Sequence, residues 1–497
     1  MYPEMIINPF FLLLLLLLPL ISFLVSKKLI SRRDLQIPPG PYQWPVVGNI
    51  FQLGKLPHHT IARLARAHGP LISLKLGSKL LVVGSSPAAA REILKTHDRA
   101  LSGRFVRPEF KTRADEYDDQ WSRMRSVGRS ELFSGKAIES QATLWSEKID
   151  EMVEDLRATE GSVVEIEEKA YVVTLNILGN LIFSGDLVGF DGKGLHGEGL
   201  HGEMRGLIRG FADLDLTPNL TDLFPVLGDW DLFGMNNKFR EVFKRMLATW
   251  DGIVSDRRKQ GRRSSGGSSR RDLLDTLIGR GLTNDLINPF VLELFSAGLV
   301  SATSTITWAL AELVKNREIM QNLLDELEKE LGQDNVKQSD LPRLPYLDAC
   351  IKETMRLHPP APLLLPHRAL ESCNVMGYNI PEDTIVTVNV WALGRDPSIW
   401  DDPLSFNPER FLVSGLDYKG NDYKYLPFGS GRRMCPGQPM AAKVVPLILG
   451  TLIHLFDWSL PGDMDPADLD MEEKNSITLV KEKHLCLVPK IRKQLEV

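Results

Sequence analysis

Cys435 sits among neighbours that favour a reactive sulfur. It lies in the run Pro427, Phe428, Gly429, Ser430, Gly431, Arg432, Arg433, Met434, Cys435, Pro436, Gly437, with two arginines before it and glycines on both sides. A helix-like stretch follows from Met440. Positive charge and a helix N-terminus both favour thiolate over thiol, and glycines let a flat cofactor approach the backbone closely. A thiolate so placed is a good ligand for haem iron, to which it donates electron density that helps break the O–O bond. A buried structural cysteine in a glycine turn is the plainer alternative for such a residue standing alone. The remaining cysteines, Cys350, Cys373 and Cys486, lack such surroundings. Four cysteines in 497 residues, with no CxxC spacing, predict neither a disulfide scaffold nor a zinc site.

Other constellations carry less. Glu353 and Arg356, at i and i+3, share one helix face and can pair there. A local duplication repeats Gly194 to Glu198 as Gly199 to Glu203. It brings Gly192, Gly194 and Gly197 into a GxGxxG spacing with Asp213 downstream, and it gathers His196, Glu198, His201 and Glu203. No βαβ pattern surrounds the glycines, and a glycine-rich setting offers no rigid support to a metal, so a surface loop is predicted there. The basic run 257–271 is predicted to be a solvated loop between helices rather than a localisation signal.

The elements that must position these residues are mostly helical. Apolar residues recur at three and four over 286–316 and 318–331, predicting long helices. Leu71 to Leu76 and Leu80 to Val83 predict short strands around a turn at Gly77 and Ser78, and Ile385 to Val390 predicts another strand. The fold class is therefore mainly α with small β-sheets. A hydrophobic fraction of 43% with 25% charged residues describes an ordinary globular core, and a net charge of −5 argues against a nucleic-acid partner.

The N-terminus differs from everything after it. Met5 to Ser26 carries no charge, which suffices for a helix of about 20 apolar residues across a bilayer. Lys27, Lys28, Arg32 and Arg33 follow, and only Glu4 precedes, so the N-terminus is expected in the lumen and the rest in the cytosol. A cleaved signal peptide would need a basic start, a shorter apolar run and a small-x-small site, and none is visible. Pro19 does not prevent insertion. Residues 1–26 are thus expected as a single membrane anchor, 27–45 as a basic and proline-rich hinge, and 46–497 as the catalytic domain. The sequon at Asn219 to Thr221 is discounted, since a cytosolic domain does not meet the lumenal enzyme.

The cysteine run resembles the cysteine loop of the cytochrome P450 family, FxxGxRxCxG, with Phe428, Gly431, Arg433, Cys435 and Gly437 in place. Glu353 and Arg356 look like the family's ExxR element, and Pro408, Glu409, Arg410, Phe411 its PERF segment. The order and spacing of the three elements agree, and the likeness runs from the hinge to the C-terminus. The resemblance implies the P450 fold behind the anchor, haem b with Cys435 as axial ligand, and a buried triad of Glu353, Arg356 and Arg410. It also implies propionate partners at Trp121, Arg125, His367 and Arg433, because buried anions need cations. The leucine-rich anchor, the Pro-Pro-Gly-Pro hinge and the loop wording look like the plant endoplasmic-reticulum branch. Leu101 to Arg104, Glu131 to Ser134 and Asp470 to Lys474 resemble its groups acting on terpenoids and on benzylisoquinoline or tropane alkaloids.

Two segments depart from the family pattern. The long helix should read AGxDTT, but here Ala297, Gly298, Leu299, Val300, Ser301, Ala302 stand. Ala297 and Gly298 keep room for dioxygen and Ser301 keeps a hydroxyl, whereas Val300 cannot carry a proton. Thr303, two positions past Ser301 and about 200° round the helix from it, is a poor substitute. The segment between Arg104 and Trp121, which roofs the pocket in relatives, is short and charged, with Arg107, Glu109, Lys111, Arg113, Asp115 and Glu116. By position in matching segments, Phe295, Val300, Leu363, Leu364 and Leu365 are expected to line an apolar pocket.

Three functions stay open on this basis. The first is monooxygenation of a hydrophobic plant alkaloid, terpenoid or phenolic with O2. The second is phenol coupling or rearrangement without oxygen insertion, and the third is haem binding without turnover. The chain offers no credible nicotinamide or flavin site, so electrons are expected from NADPH through a membrane-bound NADPH–cytochrome P450 reductase. The implied location is the endoplasmic reticulum membrane, in contact with lipid, with a single span and a cytosolic catalytic domain.

Overall fold

Continuous apolar runs form the first sheet. In a computed structural model describing residues 36–104, 119–190, 223–224, 234–260, 272–475 and 478–492, Leu71–Leu76 (β1) and Lys79–Gly84 (β2) make an antiparallel hairpin. It turns at Gly77, whose φ of 60° is a conformation that glycine adopts without steric cost. Gly103–Arg104 (β3), His367–Arg368 (β4) and Ile385–Val388 (β5) complete a five-stranded sheet in the order β1-β2-β5-β4-β3. β5 lies parallel to β2, with Leu81 opposite Ile385, and all four of its residues are buried, as its unbroken apolar run requires. The strand stops at Val388, short of the expected Val390. Asn389 Oδ1 accepts the Ala392 N–H at 3.0 Å and caps a one-turn helix, Val390–Leu393.

The described residues divide into two units. One holds 36–104, 223–224 and 363–393, with this sheet and the helix Pro57–His68 (α1). Ile61 of α1 packs on Ile72, Leu74, Leu81, Val83 and Ile385. The proline-rich segment is docked here and is no free hinge. Ser73 of β1 donates its N–H to Pro39 O at 2.8 Å and its hydroxyl to Pro38 O at 2.6 Å. Folded structure therefore begins before residue 46. The expected anchor, 1–26, lies outside the described residues.

The other unit is helical. Its long helices are Asp119–Glu131 (α2), Gly135–Ala158 (α3), Ile166–Phe183 (α4), Met235–Gln260 (α5), Asn284–Lys315 (α6), Arg317–Leu331 (α7), Pro345–Leu357 (α8) and Gln438–Leu455 (α9). A three-stranded sheet of Val164–Glu165, Cys486–Ile491 and Phe456–Ser459 accompanies them. α6 is apolar nearly all round, and every residue from Thr303 to Val314 is buried, the mark of a central helix. The basic run expected as a loop from 257 instead starts inside α5. Arg257 closes that helix and reaches Asp272 at 2.8 Å and Asp275 at 2.9 Å, cations being favourable in a last turn. The duplicated 194–203 segment, Gly192, Asp213, the sequon and most of the charged 105–120 stretch lie outside the described residues.

Candidate active site

The loop before α9 is shaped by its glycines. Gly429 and Gly431 take φ of 69° and 72°, and Ser430 Oγ donates to Gly420 O at 2.6 Å. This folding turns the Cys435 N–H onto Phe428 O at 3.0 Å. The Cys435 sulfur accepts the backbone N–H groups of Gly437 and Gln438, the first donors of α9. Burial among protein atoms pushes the thiol up from its ordinary range; the two N–H groups and the positive charge of Arg125 act against that, while Glu293 adds to it. Cys435 as a residue is nonetheless exposed.

The cations near this loop are arranged by α2. Arg125 Nη2 donates to Met434 O. Its guanidinium carbon lies 5.1 Å from the centre of the Trp121 ring, and that of Arg433 lies 4.4 Å from the same ring. Of these cations it is Arg125, far away in sequence, whose charge acts on the sulfur, while Arg433 lies over Trp121. A thiol backed by two N–H donors, with an indole and two guanidiniums beside it, fits a haem, whose iron the sulfur would take and whose propionates the cations would meet. Phe428 stands edge-on to Tyr418 at 5.7 Å. A Cβ on Gly437 would lie 3.9 Å from the Cys435 sulfur and 3.9 Å from Phe133, a neighbour the sequence did not single out. His367 belongs to the sheet unit, where β3 and β5 flank it and its Nδ1 meets Leu101 O at 2.7 Å.

Glu353, Arg356 and Arg410 meet as one buried cluster. Glu353 takes Arg356 Nε at 2.6 Å and Nη2 at 2.7 Å, Arg410 Nε at 3.0 Å and the Asn407 N–H at 2.8 Å. Arg356 spends its other protons on the carbonyls of Gly394, Pro403 at 2.7 Å and Ser405 at 3.0 Å. Gly394 is required at its position: a Cβ there would fall 2.3 Å from Arg356 O. This cluster ties α8 to the segment 394–410.

Along α6, Ala297 is exposed and Ser301 and Val300 are half-buried. Ser301 Oγ donates back to Ala297 O at 2.7 Å. Gly298 faces α4 instead of open space, since a Cβ on it would meet Leu178 at 3.4 Å. Thr303 is buried in the core. Phe295 corrects the expected pocket: it is wholly buried and stacks on Trp250 of α5 at 4.9 Å and Phe183 of α4 at 5.9 Å. Its large ring was drawn into an aromatic core rather than left accessible. In the sheet unit, Leu363 packs on the Ile61 cluster, while Leu364, at φ 55°, and Leu365, 54% exposed, stand clear of it.

Helical fold, small sheets, buried carboxylate–guanidinium cluster and a loop cysteine with two backbone donors on its sulfur together define a haem-thiolate oxidoreductase. The cytochrome P450 family pattern matches residues 38–488, and the chain belongs to that family. It is similar to a probable (S)-N-methylcoclaurine 3'-hydroxylase isozyme 2 of Coptis japonica, 46% identical over 481 residues, 95% of this chain and 97% of that protein. It is similar to geraniol 8-hydroxylase of Catharanthus roseus, 38% identical over 478 residues, 93% and 95% of the two. Among solved structures, a zebrafish cytochrome P450 with progesterone superposes with a TM-score of 0.73 at 26% identity, covering 87% of this chain and 99% of that one. The chain is thus a monooxygenase-class enzyme that uses haem, O2 and a small substrate, with NADPH electrons delivered by a reductase.

Proposed function

We propose that this protein hydroxylates a hydrophobic plant alkaloid or terpenoid, inserting one oxygen atom of O2. Cys435 would hold the haem iron, and Trp121, Arg125 and Arg433 its propionates. Haem, when bound, supplies the reductive activation of O2 and its insertion into a C–H bond. The chain's own part is to favour the anionic form of the sulfur through the Gly437 and Gln438 N–H groups. Ala297 leaves space on α6, and the Ser301 hydroxyl orients water that brings protons to the site. Relatives named for N-methylcoclaurine and for geraniol support the substrate range. The residues 1–26 anchor the enzyme in the endoplasmic reticulum membrane, its catalytic domain in the cytosol beside NADPH–cytochrome P450 reductase and lipid.

The observation that carries this is the exposed Cys435, whose sulfur takes two backbone N–H donors. Val300, in place of an acid, favours the second reading, coupling or rearrangement, because such chemistry depends less on proton delivery. The reduced, carbon-monoxide-bound spectrum of purified protein tests the ligand: Cys435→Ala abolishes the thiolate signature and turnover. Product mass separates the reactions. A gain of one oxygen supports hydroxylation, and a loss of two hydrogens supports coupling. Retained spectrum and turnover in Cys435→Ala overturn both.

A further inference from the structure

The face of α6 that carries Ala297 and Ser301 changes from open to covered along its length. Ala297, Ser301, Ser304 and Trp308 fall within about 60° of one another round the helix. Ala297 is exposed and Ser301 half-buried, whereas Ser304 is 4% exposed and Trp308 wholly buried. The strand Leu479–Lys481 lies over the last two, and both donate to one of its carbonyls. Ser304 Oγ is 2.6 Å from Leu479 O and Trp308 Nε1 is 3.0 Å from it. Leu479 is itself wholly buried, and its N–H goes to Pro360 O at 2.9 Å. The Trp308 ring is held in turn, stacked on His358 with 3° between the planes, and His358 Nε2 meets Glu312 at 2.7 Å.

Two donors fill both lone pairs of that carbonyl, and a third bond anchors the same residue. In its hairpin Leu479 stands opposite Asn475, yet its backbone groups go to α6 and to Pro360. The strand is thus fixed to α6 at Ser304, about 4.5 Å along the axis from Ser301. It is the neighbour that ends the open part of this face. A group that bounds a reaction site works only as well as its own support is rigid. We propose that Ser304 and Trp308 are positioning residues: by holding the Leu479 carbonyl they fix this strand as the end wall of the site beside Ser301. The wall limits how long a substrate lies along α6 and so which of its carbons is presented. Both residues are buried and act through Leu479. This rests on the reading above that Ala297 and Ser301 border the reaction, and adds to it a limit on substrate length.

The test titrates the full-length, haem-loaded protein with N-alkylimidazoles from methyl to octyl, read by the haem absorption change as nitrogen meets iron. In wild type, affinity is expected to climb about 4-fold per methylene and to level off where the chain meets the strand. Ser304→Ala removes one donor, and Trp308→Phe removes the other while keeping a ring. Each should move the break to longer chains by about one methylene or more. The longest imidazoles then bind about 4-fold tighter, and N-methylimidazole stays within about 2-fold of wild type. Ser304→Ala, which loses a single oxygen atom, keeps the test open where Trp308→Phe does not fold. Thermal unfolding of the same variants separates the two roles. A lower Tm with an unmoved break makes these hydrogen bonds structural only and overturns this inference alone, as does a wild-type series that climbs without a break. A wild type whose spectrum responds to none of the imidazoles overturns the haem-site reading with it.

Discussion

Glu353 is completely buried, and its charge is tolerated only because two guanidiniums and a backbone N–H surround it. Removing one member of such a cluster leaves uncompensated charge in a low-dielectric interior. Glu353→Gln is therefore expected to cost about 3–5 kcal/mol, read by chemical denaturation, and to lower haem retention. Cys435 shows the opposite economy of means. Its thiol is held up by burial, and helix N–H groups and Arg125 oppose that without being adjacent arginines. The identity of the sulfur was legible from its neighbours in sequence. The identity of its charge partner was not, because Arg125 and Met434 meet only through folding.

At the scale of elements, α6 does two jobs along one length. Its second half is core, and Trp308 there stacks on His358 at 3.8 Å, with His358 Nε2 2.7 Å from Glu312. Its first half carries the exposed Glu293 and Ala297 as well as Phe295, which is core. Phe295→Ala should accordingly cost about 3–5 kcal/mol of stability by opening a cavity among Trp250 and Phe183. Thermal unfolding should register that loss, while ligand selectivity should change little. The strand Leu479–Lys481 meets α6 beside Trp308. Lys481 donates to Asp470 O, its ammonium lies 4.8 Å from the Trp308 ring, and burial lowers its pKa to about 8. Between about 8 and the ordinary 10.5 the unfolded chain binds this proton and the folded chain does not. Stability from this group therefore rises with pH across that window, and the penalty of the buried charge is fully present below it. Relative to Lys481→Met, wild-type stability is expected to rise by ~3 kcal/mol from pH 8 to 10.5, measured by denaturant titration at each pH.

The whole molecule joins a sheet unit and a helical unit, each with its own buried cluster. The chain enters the sheet unit through Pro38 and Pro39, already bonded to Ser73. Deleting residues 1–26 is therefore expected to leave haem binding intact and to move the protein from the membrane pellet to the supernatant. Sedimentation of expressed protein followed by the carbon-monoxide spectrum checks both halves of that expectation. A truncated protein that stays wholly in the pellet would point to a second hold on the membrane.

Local spacing determined a good deal by itself. Apolar recurrence placed α6, α7 and the β1–β2 hairpin to within a few residues, and the glycines and arginines around Cys435 marked it as a candidate ligand, since these patterns depend on neighbours along the chain. The tertiary structure alone decided which expected pocket residues face open space. Periodicity assigns a residue to a helix face but not to what covers that face, so Phe295 went to an aromatic core and Gly298 to contact with Leu178.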